Sequence, residues 1–325
     1  MTRAIDDRRA DQELPGPGND RRRFCARVIR VGLGGAAALL AEGLVAPGDR
    51  WGAASAAAPA SLAVVKGAAG AATRRAVELL GGMTRFVRAG QRVVVKPNIG
   101  WDRTPEQAAN TNPEVVVAVI RQCLEAGAGE VRVFDRSCND PRLCFRRSGI
   151  QEAVEAIGDR RVSIFIPDER KYQEVAIPAG VTLKSWLVYE DALAAEVFIN
   201  VPVAKHHGLT GLTMGLKNVM GVLGGNRGQI HTGFDDKIVD ANLARPSHLT
   251  VLDATRILVA HGPQGGRIED VRFPGTVVAG ADIVAVDAYA TRFFGSDPTK
   301  ISHISRAAAR GLGTTNPAGV REESV

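Results

Sequence analysis

Residues 92–98 read Arg-Val-Val-Val-Lys-Pro-Asn, a run of three valines that stops at a lysine, a proline and an asparagine. A short apolar block bounded by polar and turn-forming residues predicts a strand that is buried on both faces of a sheet. Six further blocks of this kind predict strands at 62–65, 131–135, 162–166, 197–201, 250–253 and 276–279.

Helical periodicity fills most of the intervals between these blocks. It predicts helices at 71–80, 113–126, 150–157, 213–222 and 283–294. Apolar strands that alternate with helices are typical of an α/β fold in which helices cover both faces of a mostly parallel sheet. Residues 168–190 hold two alternating runs around Pro178-Ala179-Gly180, and they predict a small hairpin insertion.

Several predicted strands run directly into polar residues. The endings are Lys96-Pro97-Asn98, the loop that begins at Asp135, the segment Lys205-His206-His207, and Asp253. In an open α/β sheet, ligands bind outside the carboxyl ends of the strands. These endings therefore predict one site at that edge of the sheet.

The segment 205–231 holds the greatest density of candidate functional residues, including seven glycines and three of the six histidines. Glycines let backbone N–H groups approach an anion closely. Lys205, Lys217 and Arg227 are the cations that could pair with a carboxylate or phosphate. No Ser or Thr follows Lys217, so the segment is not a Walker-type phosphate loop.

The histidines suggest either a metal ligand or an acid–base group. His206 and His207 are adjacent, and in an extended chain their side chains point in opposite directions. One of the pair is therefore expected in the site, and we assign His206 there together with His231.

Two cysteines, Cys138 and Cys144, flank a polar loop close to Asp135. They are consistent with a disulfide that closes this loop or with two thiolate ligands to a metal or cluster, and the sequence leaves both interpretations open. Asp135 is a third candidate metal ligand of this loop.

The N-terminus suggests export. Arg21-Arg22-Arg23-Phe24 precedes a weakly apolar stretch of small residues at 31–46, which is typical of a twin-arginine signal cleaved near residue 56. A basic leader is the alternative, since Glu42 interrupts the apolar stretch. We assign 1–56 to the signal and leader, 57–315 to one α/β domain and 316–325 to a C-terminal tail, and we expect a periplasmic or extracellular protein that contacts the twin-arginine translocase during export.

Net charge and apolar content indicate which partners the protein is not expected to bind. The formal charge falls from +6 to +4 without residues 1–56, because that segment holds nine arginines and seven acidic residues. This mild, scattered charge does not suggest nucleic acid. A spanning helix needs about 20 apolar residues, so we expect no stable membrane span after cleavage.

Together these residues resemble the DUF362 family, a group of proteins of unknown function. The motifs that carry the resemblance are Val95-Lys96-Pro97-Asn98, Thr111-Asn112-Pro113, Asn200-Val201-Pro202, Gly215 to Gly221, and Asp282 to Asp287. Some members of the family carry a ferredoxin-like segment with Cys-x-x-Cys runs, which this sequence lacks. The pattern is more faintly similar to nickel-dependent racemases of hydroxy acids. The resemblance implies an α/β fold and leaves a metal ion or an iron–sulfur cluster open as cofactors.

The leading hypothesis is an exported enzyme of the oxidoreductase or isomerase type that uses a metal or metal-containing cofactor on a small anionic substrate. Its predicted catalytic residues are Lys96, Lys205, His206 and Lys217. The predicted substrate-binding residues are Asn98, Asn112, Asn218, Arg227, Gly224 and Gly225. The predicted metal ligands are His206, His231, Asp135, Cys138 and Cys144. The alternative is a non-catalytic extracytoplasmic protein that binds an anion or a metal.

Overall fold

The computed structural model describes residues 61–325. The twin-arginine motif and the predicted cleavage site lie outside the described residues. In chain order the strands are β1 (Leu62–Lys66), β2 (Arg92–Pro97), β3 (Glu130–Val133), β4 (Val162–Ile164), β5 (Tyr172–Ala176), β6 (Ser185–Tyr189), β7 (Val197–Val201), β8 (Val203–His207), β9 (Gly211–Thr213), β10 (Leu249–Leu258), β11 (Val271–Arg272), β12 (Thr276–Gly280) and β13 (Val320–Ser324). The helices are α1 (Ala69–Leu79), α2 (Pro113–Glu125), α3 (Pro141–Arg147), α4 (Ile150–Glu155), α5 (Glu190–Ala194), α6 (Gly215–Asn218), α7 (Phe234–Ala244), α8 (Ile283–Ala290) and α9 (Ser302–Ala309).

One mixed, largely parallel sheet organises these elements. Its main path runs β13-β1-β12-β10-β7-β2-β3-β4, and β8, β9 and β11 extend it beside β10. Strands β4, β3, β2, β7 and β10 are parallel neighbours, whereas β12 is antiparallel to both β10 and β1. Strands β5 and β6 form a separate antiparallel pair. The predicted α/β fold and the predicted hairpin are both confirmed.

Strand β2 shows why the sheet is covered on both sides. Val93, Val94 and Val95 are all fully buried, yet Val94 belongs to one apolar cluster while its two neighbours belong to the other. Successive side chains of a strand point to opposite faces. A continuous valine run therefore contributes to two cores at once, and the strand ends in the site.

Three elements differ from the sequence predictions. The helix predicted at 213–222 is only α6 followed by a 3-10 helix (Val219–Val222), because Thr213 ends β9. Residues 203–207, predicted as a polar strand ending, form strand β8. The predicted tail at 316–325 contains β13, which pairs in parallel with β1. Its residues, Val-Arg-Glu-Glu-Ser, are those of a charged edge strand, so they carry no apolar signal.

Helices α3, α5, α7 and α9 were not predicted from the sequence. Asp140 begins α3 by accepting hydrogen bonds from the backbone N–H groups of Arg142 and Leu143. Within residues 61–325, no helix combines the length and apolar character that crossing a bilayer requires.

Candidate functional site

A cavity of about 840 Å³ opens at the carboxyl ends of the central strands. Lys96 ends β2, Asp135 follows β3, Ile166 follows β4, and Lys205 lies on β8. All four residues line the cavity. The sheet therefore brings together strand endings that are far apart in the sequence, at the edge where ligands bind in open α/β sheets.

Lys96 is fully buried at this edge, and its ammonium group has a complete set of partners. Its Nζ lies 2.8 Å from Asp135 Oδ1 and donates to Asn218 Oδ1 at 2.9 Å and to the Pro97 carbonyl oxygen at 2.8 Å. The second carboxylate oxygen of Asp135 accepts from the Ile99 N–H at 2.6 Å. Burial lowers the pKa of Lys96, while Asp135 acts in the opposite direction. Two of the ammonium donors have hydrogen-bond acceptors and Asp135 supplies the counter-charge, so the charge of Lys96 is compensated within the protein.

Gly221, one of the seven glycines in the 205–231 segment, packs directly against the Lys96–Asp135 pair. A Cβ at this position would lie 1.8 Å from Asp135 Oδ1 and 2.4 Å from Lys96 Nζ. Only a residue without a side chain lets the backbone pass so close to the ion pair. This glycine therefore serves the buried pair, not an anion.

Lys205 is 1 % exposed but lacks an acidic partner among the described residues. Its Nζ donates to Asn98 Oδ1 at 2.9 Å and to the Ala109 carbonyl oxygen, and it lies 6.0 Å from the centroid of the Trp101 ring. Burial lowers the pKa of Lys205 to about 7, and the positive charge of Lys217 acts in the same direction. At neutral pH this amine is thus partly deprotonated.

Lys217 is the least compensated cation of the cavity. Its Nζ lies 3.7 Å from Met220 Sδ and 5.4 Å from the centroid of the Phe234 ring. A sulfur and an aromatic face are weak partners compared with a carboxylate. Burial lowers the pKa of Lys217 to about 8. A bound anion would supply the counter-charge that this lysine lacks.

Asn98 and Asn218 connect the lysines. Asn98 accepts from Lys205 through Oδ1 and donates through Nδ2 to Asn218 Oδ1 at 3.0 Å. Asn218 in turn donates to Asn200 Oδ1 at 2.8 Å. These two of the three predicted substrate-binding asparagines line the cavity, and both are already engaged in positioning Lys96 and Lys205.

The structure places the two adjacent histidines differently with respect to the cavity. His207 lines the cavity, whereas His206 does not and instead accepts a hydrogen bond at Nδ1 from the Gly262 N–H at 3.1 Å. Because β8 is a strand, Lys205 and His207 share one face and His206 lies on the other. One histidine of the pair therefore lines the cavity, and it is His207, not the predicted His206.

His207 presents a defined hydrogen-bond donor. Its Nδ1 accepts from the N–H groups of Leu209 and Thr210, at 3.1 and 3.3 Å. The proton of the neutral ring therefore lies on Nε2. Burial lowers the pKa of His207 to about 3, so the ring is neutral at physiological pH. His231 also lines the cavity and stacks on Phe234, with burial lowering its pKa.

Other predicted binding residues have structural partners. Arg227 lines the cavity, but its guanidinium donates to the carbonyl oxygens of Arg136 at 2.8 Å and Ser137 at 2.9 Å. Asn112 caps α2 by accepting from the Glu114 N–H, and it does not line the cavity.

Of the two glycines predicted to bind substrate, only one lines the cavity. Gly225 lines the cavity, whereas Gly224 packs against the hairpin. A Cβ on Gly224 would lie 2.6 Å from the Tyr172 ring.

The predicted cysteine pair is not a disulfide in the structure. Cys138 is an exposed free thiol that lines the cavity, and Cys144 is a buried free thiol within α3. The start of α3 at Pro141 turns Cys144 into the apolar core. Burial raises the pKa of the Cys144 thiol, which disfavours the thiolate that a metal would need.

The donor set of the cavity does not fit a resident metal ion or iron–sulfur cluster. Within residues 61–325, no group of three or more His, Cys, Asp or Glu is placed to hold a metal. Asp135 already pairs with Lys96, and the neighbouring side chains of Lys205, Lys217 and Arg227 would repel a cation. The predicted ligands His206, His231, Asp135, Cys138 and Cys144 therefore do not form one site.

Sequence reasoning missed several cavity residues, among them His207, Trp101, Thr213, Arg136 and Ile166. Thr213 pairs with Lys205 across the β8–β9 ladder, and its Oγ1 is buried without a hydrogen-bond partner. An interpretation of 203–207 as a strand would have found His207, because it lies two residues after Lys205. The remaining residues carry no local signal.

Comparison with known protein families shows that the chain belongs to one of them. The model described as "Domain of unknown function (DUF362)" matches residues 93–292, which include the cavity lysines Lys96, Lys205 and Lys217.

One relative and two solved structures are similar to this chain in sequence or in fold. The thylakoid-associated protein sll1697 of Synechocystis sp. is 27% identical over 257 residues, which cover 75% of this chain and 76% of that protein. The lactate racemase apoprotein from Thermoanaerobacterium thermosaccharolyticum is 12% identical with a TM-score of 0.40 and covers 66% of this chain. A structural-genomics protein from Thermotoga maritima is 10% identical with a TM-score of 0.45 and covers 71% of this chain. This chain spans 55% and 60% of the lengths of those two solved chains.

Proposed function

We propose that this protein is an enzyme that binds a small organic anion in the cavity and transfers a proton to or from it. Lys217 would hold the negative charge, and Lys205 would be the acid–base group. The observation that carries the proposal is that both lysines line the cavity without an acidic partner among the described residues.

The case for an anion comes from the cost of the charges. Removing a lysine ammonium from water, even in part, is unfavourable unless an opposite charge compensates it. Asp135 compensates Lys96, but the partly buried Lys217 has a sulfur and an aromatic ring and no acidic partner among the described residues. An anionic ligand would restore the balance and gain a charge-assisted hydrogen bond.

The case for proton transfer comes from Lys205. A neutral amine has two hydrogens, and Asn98 Oδ1 and the Ala109 carbonyl oxygen accept both of them. The lone pair, or the third proton of the charged form, is then left for the cavity. A pKa of about 7 lies close to the operating pH, where a general acid or base is most effective. The reaction class that needs only this group is an isomerisation through proton removal next to a carbonyl or carboxyl group.

Binding and chemistry are tested separately with Lys217→Met, Lys205→Met and the matched surface variant Lys300→Met. Titration calorimetry with acetate, pyruvate and phosphate measures binding. Nuclear magnetic resonance in D₂O measures exchange of carbon-bound protons in a panel of short carboxylates.

We expect Lys217→Met to weaken anion binding by about 10–100-fold, the value of a charge-assisted hydrogen bond. Lys205→Met should retain binding and lose deuterium exchange, and Lys300→Met should change neither. Binding without exchange in the native protein would instead favour a non-catalytic anion-binding protein. Failure of all the anions to bind would contradict the proposal.

We also propose that the protein is exported by the twin-arginine route to the periplasm or beyond. Support comes from the sequence alone, from Arg21-Arg22 and the small-residue stretch that follows. A fusion of residues 1–60 to a folded reporter should be exported, and replacement of both arginines by lysine should retain the reporter in the cytoplasm. Unchanged export of the lysine variant would contradict this route.

A further inference from the structure

We infer that the ligand is an amphipathic organic anion: an acidic head held by Lys217 and an apolar body lying against the apolar residues that line the cavity. This inference rests on the proposed anion site and names the class of molecule that fits it.

The size of the cavity is the first argument. Its volume of about 840 Å³ equals the space of roughly 28 water molecules at about 30 Å³ each. A carboxylate such as pyruvate has about six heavy atoms, each of roughly the size of a water molecule, and would fill about a fifth of this space. Cavities of several hundred Å³ hold ligands of larger size.

The cavity lining combines polar and apolar residues. Its donors include the Lys205 and Lys217 ammonium groups, the Nε2–H of His207, and the Thr213 hydroxyl. The Thr213 Oγ1 is buried and has no hydrogen-bond partner among the described residues. A buried hydroxyl without a partner is costly, so this atom indicates a polar ligand group next to the lysines.

Other lining residues are apolar. Trp101, Pro141, Ile166, Pro167 and Pro263 contribute apolar surface to the cavity. Ile166 is 41 % exposed, so its side chain is open to solvent. A ligand body over Ile166 and the Trp101 ring would remove this surface from water.

Charge complementarity fixes the orientation of the ligand. Lys217 requires the anionic group next to its ammonium, and the apolar residues can only contact the remainder of the molecule. A simple oxoanion such as phosphate would satisfy the lysine and leave the apolar residues unused. A neutral apolar molecule would leave the lysines uncompensated.

The test uses the full chain and titration calorimetry with acetate, butyrate, hexanoate and octanoate. Each methylene that is buried should lower Kd by up to about fourfold, so we expect octanoate to bind at least about 100-fold more tightly than acetate. Ile166→Ser should weaken octanoate binding by about 5–10-fold and leave acetate binding unchanged. Ile268→Ser is the matched control, because Ile268 is 52 % exposed and does not line the cavity.

Three outcomes would overturn the inference. A Kd that is the same for all four acids, with acetate binding still dependent on Lys217, would remove the apolar body and leave the proposed anion site intact. An octanoate gain that Ile166→Ser leaves unchanged would place the body outside this cavity. If none of the four acids binds, the proposed function itself fails together with the inference.

Discussion

Lys96 and Lys217 lie at the same edge of the sheet, but the protein treats their charges in opposite ways. Lys96 is enclosed by Asp135, Asn218 and a carbonyl oxygen, which compensate its charge. Among the described residues, the Lys217 ammonium has a methionine sulfur and an aromatic ring as partners and no carboxylate. A charge that is compensated internally belongs to the fold, whereas a partly buried charge without compensation is a candidate for ligand binding.

The charge of Lys205 is compensated less than that of Lys96 but more than that of Lys217. It is as deeply buried as Lys96, but its acceptors, Asn98 Oδ1 and a backbone carbonyl, are neutral. Neutral acceptors satisfy its hydrogen bonds without cancelling its charge. Its pKa therefore falls to about 7, where a proton can be exchanged at physiological pH.

The largest expected effect is on the compensated pair. Lys96→Met leaves Asp135 as a buried, uncompensated carboxylate and should lower the free energy of unfolding by about 3–5 kcal/mol. Lys217→Met removes a charge that has no partner, so its free energy of unfolding should be unchanged or higher. Urea unfolding of both variants measures the difference, and equal losses of stability would contradict the distinction between the two lysines.

The substitution Gly221→Ala tests the same Lys96–Asp135 pair by adding a Cβ beside it. The added Cβ would overlap Asp135 and Lys96, and we expect a loss of about 3 kcal/mol from separation of the buried charges. Gly70→Ala is the matched control, since a Cβ there meets nothing within 4 Å and the helix should gain up to about 1 kcal/mol. A Gly221→Ala protein as stable as the Gly70→Ala protein would show that the pair can move aside.

The titration of Lys205 gives a smaller, pH-dependent effect. The unfolded chain keeps this proton up to the ordinary pKa of 10.5, while the folded protein releases it above about 7. Between these values the unfolded state binds more protons, so stability rises with pH. Relative to Lys205→Met, the native protein should gain about 1 kcal/mol per pH unit between pH 7 and 10. A difference in unfolding free energy that is constant over this range would exclude the low pKa.

The smallest expected effect distinguishes the two adjacent histidines. His207→Ala removes an Nε2–H donor from the cavity and should weaken acetate binding by about 3–10-fold, the range for a neutral hydrogen bond. His206→Ala should leave binding unchanged, because its ring accepts from Gly262 outside the cavity. Calorimetry on both variants measures this, and the reverse ranking would restore the original assignment of His206.

Much of the fold could be predicted because its signals are local. The valine run before Lys96 and the alternating runs around Pro178-Ala179-Gly180 predicted a sheet strand and the hairpin correctly. Strand β13 was missed because its alternating charged residues resemble a polar tail, and only its ladder with β1 makes it a strand.

The sequence by itself determined the parallel sheet and the edge at which its polar strand endings meet, since hydrophobic periodicity and residue order specify both. Only the tertiary structure decided which lysine is compensated and which histidine lines the cavity. Lys96 and its partner Asn218 are 122 residues apart, and the pairing of a charge depends on contacts across such distances. Hydrophobic periodicity indicates which face of a helix or strand a residue occupies. It does not indicate which residues from other parts of the chain pack against that face.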